Sequence, residues 1–167
     1  ASVRVLDGIS TSRKTVRVST DEKRITVKPI PSEYPADKPW LPAIAVTAAQ
    51  RFEPPLISDF EVGDTVTRTV NVRVIGNSGA SLPPMQLALP EDQFKTYPQP
   101  TEISDDTMGD NLVGMRVETQ DIVPFVAGAL GLPSTEIIWW NTDTASLMTT
   151  TLNRRALSAV GNAIAAT

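Results

Sequence analysis

The stretch TVTRTVNVRVIG, Thr65 to Gly76, restricts the fold more than any other part of the chain. Val66, Val70, Val72 and Val74 alternate there with Thr67, Thr69, Asn71 and Arg73. A helix would scatter these valines around its circumference, whereas an extended strand puts them all on one face. Arg68 interrupts the apolar set once, which predicts an edge position or a bend at that residue.

The same two-residue period returns elsewhere. In NLVGMRVETQDIVPF, Val113, Met115 and Val117 stand opposite Arg116, Glu118 and Gln120, and in RITVKPIP, Ile25 and Val27 stand opposite Thr26 and Lys28. Further short candidate strands are SVRVL, KTVRV, AIAVTAAQRF, DQFKTYP, ALGLPSTEIIWW, SLMTTTLN and RRALSAV. Turn chemistry separates them at IGNSG, at DDTMGDN (Asp105 to Asn111) and at NTDTAS (Asn141 to Ser146). Many short strands at this spacing predict an all-β antiparallel sandwich of immunoglobulin-like size.

Most of the fourteen prolines fall between these runs or at their ends, and five of them crowd PIPSEYPADKPWLP, Pro29 to Pro42. Proline removes ladder donors, so residues 32–42 read as an interdomain linker. Residues 1–31 are then closing strands of a preceding β domain, or added edge strands. Residues 43–160 form the sandwich and residues 161–167 a frayed tail, since Gly161 interrupts the alanine-rich end and no cap precedes it. The chain opens at Ala1 without an initiator methionine, and we expect a processed or excised piece of a longer protein.

Composition removes most catalytic chemistry. Without histidine there is no imidazole-activated nucleophile and no ordinary zinc catalysis, and without cysteine no thiolate or disulfide. Net charge of −4 supplies no cationic field for nucleic acid. No apolar run of about 18 residues is present to span a bilayer. No glycine-rich phosphate loop, Gly-x-Ser-x-Gly elbow or metal-ligand spacing occurs. No enzyme activity and no cofactor are expected.

Three features remain as candidate partner-binding sites. Trp139 and Trp140 are neighbours on a strand and must face opposite ways, so one enters the core. The other is either covered by a loop or the N-terminal segment, or exposed as an aromatic anchor for a partner protein. The acidic run holding Glu102, Asp105, Asp106, Asp110 and Asn111 offers oxygens for a hard cation but lacks the order of a calcium loop, so a solvated turn is the plainer reading. Arg154 and Arg155 suit either solvent or an acidic partner.

KPWLPAIAVTAAQRF, the Val62-Gly63-Asp64 lead into Thr67-Arg68-Thr69, Leu82-Pro83-Pro84, Tyr97-Pro98 and Ile138-Trp139-Trp140-Asn141 occur in the order of the BatD family of bacterial aerotolerance operons. The chain resembles its C-terminal periplasmic immunoglobulin-like region over nearly its whole length. The family's proline before the double tryptophan is Ile138 here, and its closing Leu-Pro-Ala-Arg is Leu152-Asn153-Arg154-Arg155. The resemblance implies a periplasmic location, with a membrane anchor outside these residues. It also implies partnership with von Willebrand factor A-domain Bat proteins, and indirectly with a MoxR-type ATPase. Asp105, Asp106 and Asp110 would then be a docking element, because a partner's carboxylate can complete the divalent metal site of an A domain. A carbohydrate-binding sandwich stacking sugars on Trp139 or Trp140 with Tyr97 is the alternative, and a glycosidase using paired carboxylates ranks last.

Overall fold

The computed structural model describes residues 2–3 and 16–162. The chain divides after Ile30 into two compact units. In the first, β1 (Ser2–Val3) pairs antiparallel with β2 (Val16–Arg17). The alternating segment around Ile25 and Val27 has no strand partner among the described residues, and these side chains are 84% and 86% exposed. Alternation licenses a strand, but a strand persists only where a second one takes up its backbone groups. Most of SVRVL and all but the first two residues of the expected tail at 161–167 lie outside the described residues.

The second unit, from Pro31 onward, is built of β3 (Pro42–Ala43), β4 (Ala45–Glu53), β5 (Phe60–Glu61), β6 (Val66–Ile75), β7 (Phe94–Pro98), β8 (Glu102–Met108) and β9 (Asn111–Pro124). It continues through β10 (Gly128–Leu132), β11 (Thr135–Asn141), β12 (Ser146–Leu152) and β13 (Arg155–Val160). One layer is an antiparallel sheet in the order β4-β6-β9, with β7 and β8 sharing the outer edge of β9. Facing it are two three-stranded sheets, β12-β11-β3 and β10-β13-β5. In each of them the short strand joins in parallel.

The two layers meet in two apolar clusters. Val70, Val72 and Val74 of β6 pack with Ile137, Trp139 and Leu152. Val66 and Ile122 pack with Leu130, Leu132, Leu157 and Ala159. Fully burying each such side chain is worth roughly 1.5–3 kcal/mol.

Between the clusters lies Arg68, which corrects the expectation of an edge or bend. It sits on the central strand β6, on the core face, and is 1% exposed. Its Nε and Nη2 donate to Oε1 of Gln50 at 3.2 and 2.9 Å, and Gln50 Nε2 donates across the sandwich to the Asn153 carbonyl at 2.8 Å. The guanidinium also lies over the Phe52 ring, 5.9 Å from its centroid. Hydrogen bonds and a ring face substitute for the water that a cation loses on burial.

Strand β9 presents its polar set to the interior. Directly opposed residues share a face, so Arg116, paired with Val72, and Glu118, paired with Val70, point the same way as the core valines. They tie down the connecting segment from Leu82 to Leu89, which crosses β9 on that face. Glu118 accepts from the Met85 N–H at 2.9 Å, Gln120 Nε2 donates to the Leu87 carbonyl at 3.3 Å, and Arg116 pairs with Glu118 at 3.0 Å. Gly114 makes room for the start of this connection, since a Cβ there would stand 2.0 Å from the Gly79 nitrogen.

Residues 32–42, expected as a linker, are built into the second unit instead. Leu41 is completely buried and Tyr34 nearly so, and Trp140 N–H donates to the Leu41 carbonyl at 2.8 Å. Prolines withhold ladder donors but place no limit on packing.

Candidate functional site

The outer edge of β9 is shared by two strands because the pairing slips by one residue between them. Pro98 opposes Gln120, yet Glu102 opposes Val117, so Gln99, Pro100 and Thr101 face only Thr119 and Glu118. This is a β-bulge, and Pro100, which has no N–H to offer a ladder, occupies it. Beyond the bulge β8 runs to Met108 and turns through Gly109 and Asp110 into β9. Gly109 has φ +62°, as the first position of a tight hairpin turn of this kind requires.

The run from Asp105 to Asn111, expected as an open turn, is therefore mostly strand, and only Gly109 and Asp110 form the turn. All seven residues of β8 are exposed. On this edge of the sheet, which pairs with no further strand among the described residues, Ile103 and Met108 are 48% and 46% exposed, with Leu112 of β9 close to the tip. Apolar side chains among acids on an unpaired edge make an acceptor surface for another strand.

The acidic candidates do not converge. Asp105, opposite Gly114, faces the interior side, whereas Asp106, opposite Val113, faces the other, and Asp110 is at the hairpin tip. Asp105 Oδ1 accepts the Gly79 N–H at 2.7 Å, which fixes the connection at the hairpin base. Among the described residues no three acids are grouped to hold a metal ion. Asp106 and Asp110 remain open to solvent.

The adjacent tryptophans divide between two environments. Trp139 is buried in the core beside Ile137, and its Nε1 donates to Thr150 Oγ1 at 2.9 Å. Trp140 is half-buried on the other face, 6.3 Å from the ring of Trp40, which in turn meets Tyr34 edge-on at 4.9 Å. The Tyr34 hydroxyl donates between the carbonyls of Pro39 and Ile138, the latter at 3.0 Å. Burial raises the Tyr34 pKa above its ordinary value, partly offset by a hydrogen bond with the Leu41 backbone. The covered arrangement is thus the one adopted, and the cover is the proline-rich segment. The sequence marks Trp40 only within the phrase that carries the family resemblance and Tyr34 not at all; an aromatic pair inside a proline-rich stretch is the available signal.

A sugar platform of Trp139 or Trp140 with Tyr97 is not assembled. Trp139 is inside, and Tyr97 is on β7, in the sheet facing that of β11. A cleft of about 320 Å³ between the proline-rich segment and the Pro83–Pro84 turn is lined by Asp37, Lys38, Gln86 and Glu136 without an aromatic ring.

Arg154 and Arg155 both lie on protein surface. The Arg154 guanidinium runs across Gly131, where a Cβ would come within 2.7 Å of its Nη2. Arg155 lies over the Phe52 ring, 5.2 Å from the centroid. Burial lowers the pKa of Arg68, the other guanidinium on that ring.

No family model, curated protein or solved structure matches this chain.

Proposed function

We propose that this chain is a non-enzymatic protein–protein interaction module of the cell envelope, docking through the β8–β9 hairpin. The observation that carries the reading is β8, seven consecutive exposed residues on a sheet edge without a further strand partner among the described residues, acidic and interspersed with apolar side chains. Main-chain pairing gives such an edge affinity, and its acids select a basic or metal-bearing partner over others.

The resemblance to the BatD family supplies the finer form of the proposal. In that form the module is periplasmic, is held to a membrane by a segment outside these residues, and serves von Willebrand factor A-domain Bat proteins and, through them, a MoxR-type ATPase. The residues carrying the resemblance are mostly structural here: Leu82 and Trp139 are core, and Pro98 begins the bulge. They argue for a common architecture, and the acidic hairpin argues for the docking role.

An A domain's divalent ion would take its last ligand from Asp106, whose Oδ1 accepts only the adjacent Thr107 N–H, or from Asp110 at the tip, because Asp105 faces the interior side and is tied to Gly79. The test is the affinity of the Asp106→Asn, Asp110→Asn double variant for the purified A domain, with and without Mg²⁺. A loss of about tenfold or more, confined to the Mg²⁺ condition, is expected, equivalent to roughly 1.4 kcal/mol. Equal affinity of variant and parent removes the docking role.

A further inference from the structure

We infer that the basic segment Lys23–Lys28 of one copy adds to β8 of a second copy as an extra antiparallel strand. The inference rests on the reading of β8 as a free interaction edge, and names an occupant for it.

Two unpaired features match. Lys23, Arg24, Ile25, Thr26, Val27 and Lys28 alternate like a strand, carry three cations, and have no ladder partner among the described residues. Its apolar members are among the most exposed in the molecule, Ile25 at 84% and Val27 at 86%. Edge strand β8 carries Glu102, Asp105 and Asp106, no cation, and an exposed Ile103. Each has the charge and backbone groups that the other lacks.

One register brings the complementary groups together, with Ile25 opposite Asp105, whose carboxylate is held by the Gly79 N–H. With Thr26 opposite Ser104, Arg24 meets Asp106 and Lys28 meets Glu102 on one face, while Val27 meets Ile103 on the other. In a two-residue hairpin the pair flanking the turn, Met108 and Asn111, exchanges hydrogen bonds, and alternation then turns the backbone groups of Ile103, Asp105 and Thr107 outward. Those are the positions facing Val27, Ile25 and Lys23. Pro29 falls opposite Thr101, where the Pro100 bulge ends the edge, so both partners stop together. Asp21 and Glu22, the nearby acids of the donor segment, fall at and beyond the hairpin end. Because donor and acceptor are different surfaces, the contact is head-to-tail and builds rings or short chains.

Sedimentation velocity of the full chain from about 10 μM to about 1 mM, in low salt and at ionic strengths that shorten the Debye length below about 6 Å, tests the idea. Mass should rise with concentration, and the rise should shrink in salt. Glu102→Lys with Asp106→Lys should hold the protein monomeric, as should Arg24→Glu with Lys28→Glu. Combining all four substitutions should restore association. All four sites are on the exposed surface, and circular dichroism checks that each variant is folded. A parent chain that stays monomeric throughout, or association indifferent to the charge exchanges, overturns the inference. A-domain binding measured on the same samples separates the two readings. A monomer that binds the A domain removes only this inference, and an oligomer that does not bind it removes only the heterotypic role.

Discussion

Arg68 and Gln50 form a hydrogen-bonded pair inside the sandwich, with Nε and Nη2 of the arginine converging on one amide oxygen at 3.2 and 2.9 Å. The pair separates the two apolar clusters and links the sheets through the Asn153 carbonyl. Removing one partner strands the other. We predict that Gln50→Leu lowers unfolding free energy by about 3 kcal/mol, because a buried cation loses its acceptor. Arg68→Met removes the charge and keeps the volume but takes the donors from the half-buried Gln50 Oε1, so it should cost less, about 1 kcal/mol. Urea unfolding of both variants checks this, and the prediction fails if Arg68→Met is the more damaging.

The tryptophans should differ sharply in what they contribute. Trp139→Ala opens the core and removes the indole donor to Thr150, whose hydroxyl keeps only its bond to the Val46 carbonyl, and should cost about 3–5 kcal/mol. Trp140→Ala removes a half-buried ring stacked on Trp40 and should cost about 1 kcal/mol. Equal losses in denaturant titration would contradict the division of faces.

Tyr34 ties stability to alkaline pH. Its pKa is raised in the folded state by burial, so the native state keeps the phenol proton at a pH where the unfolded chain has released it. This contribution is complete below about pH 10, the ordinary tyrosine value, and is lost as pH climbs through the higher native value. Tryptophan emission from Trp40 and Trp140 should report a loosening there that Tyr34→Phe shifts or abolishes. An identical alkaline transition in the two proteins would exclude the cluster as its origin.

Two glycines of the hairpin region should respond differently to alanine. At Gly109 a Cβ meets open space, and only φ +62° opposes it, at about 1 kcal/mol. At Gly114 the Cβ would collide with the Gly79 backbone. Gly114→Ala should therefore displace the connection from Ser78 to Leu89, seen as exchange of its protected amides, while Gly109→Ala leaves them protected.

Much of the architecture was legible because alternation is a local property. Val66 to Val74 specified a strand with one buried face, and Trp139 and Trp140 had to part because neighbours on a strand cannot share a side. What stayed hidden depended on distant partners. Alternation does not say which face is inward, and β9 turns Arg116, Glu118 and Gln120 toward the core because the Leu82–Leu89 segment supplies them with backbone groups. Arg68 could not be placed without Gln50, 18 residues away. Strand β8 escaped notice since every residue in it is exposed, leaving no apolar stripe, and its acids and glycine read as a turn. The proline-rich stretch hid its aromatic cover in the same way, through packing rather than pattern.

The bulge at Pro100 has a further outcome for how this molecule behaves in a crowded compartment. Phe94 and Thr96 lie inward before it, whereas Ser104 and Asp106, likewise even-numbered, lie outward after it, so the margin of the sheet is cut into two short reaches of opposite phase. A visiting chain that fits one reach is out of step with the next, and zipping halts after seven residues. The sheet therefore stays adhesive over one brief reach while denying fibrils the long uniform rim they need to grow.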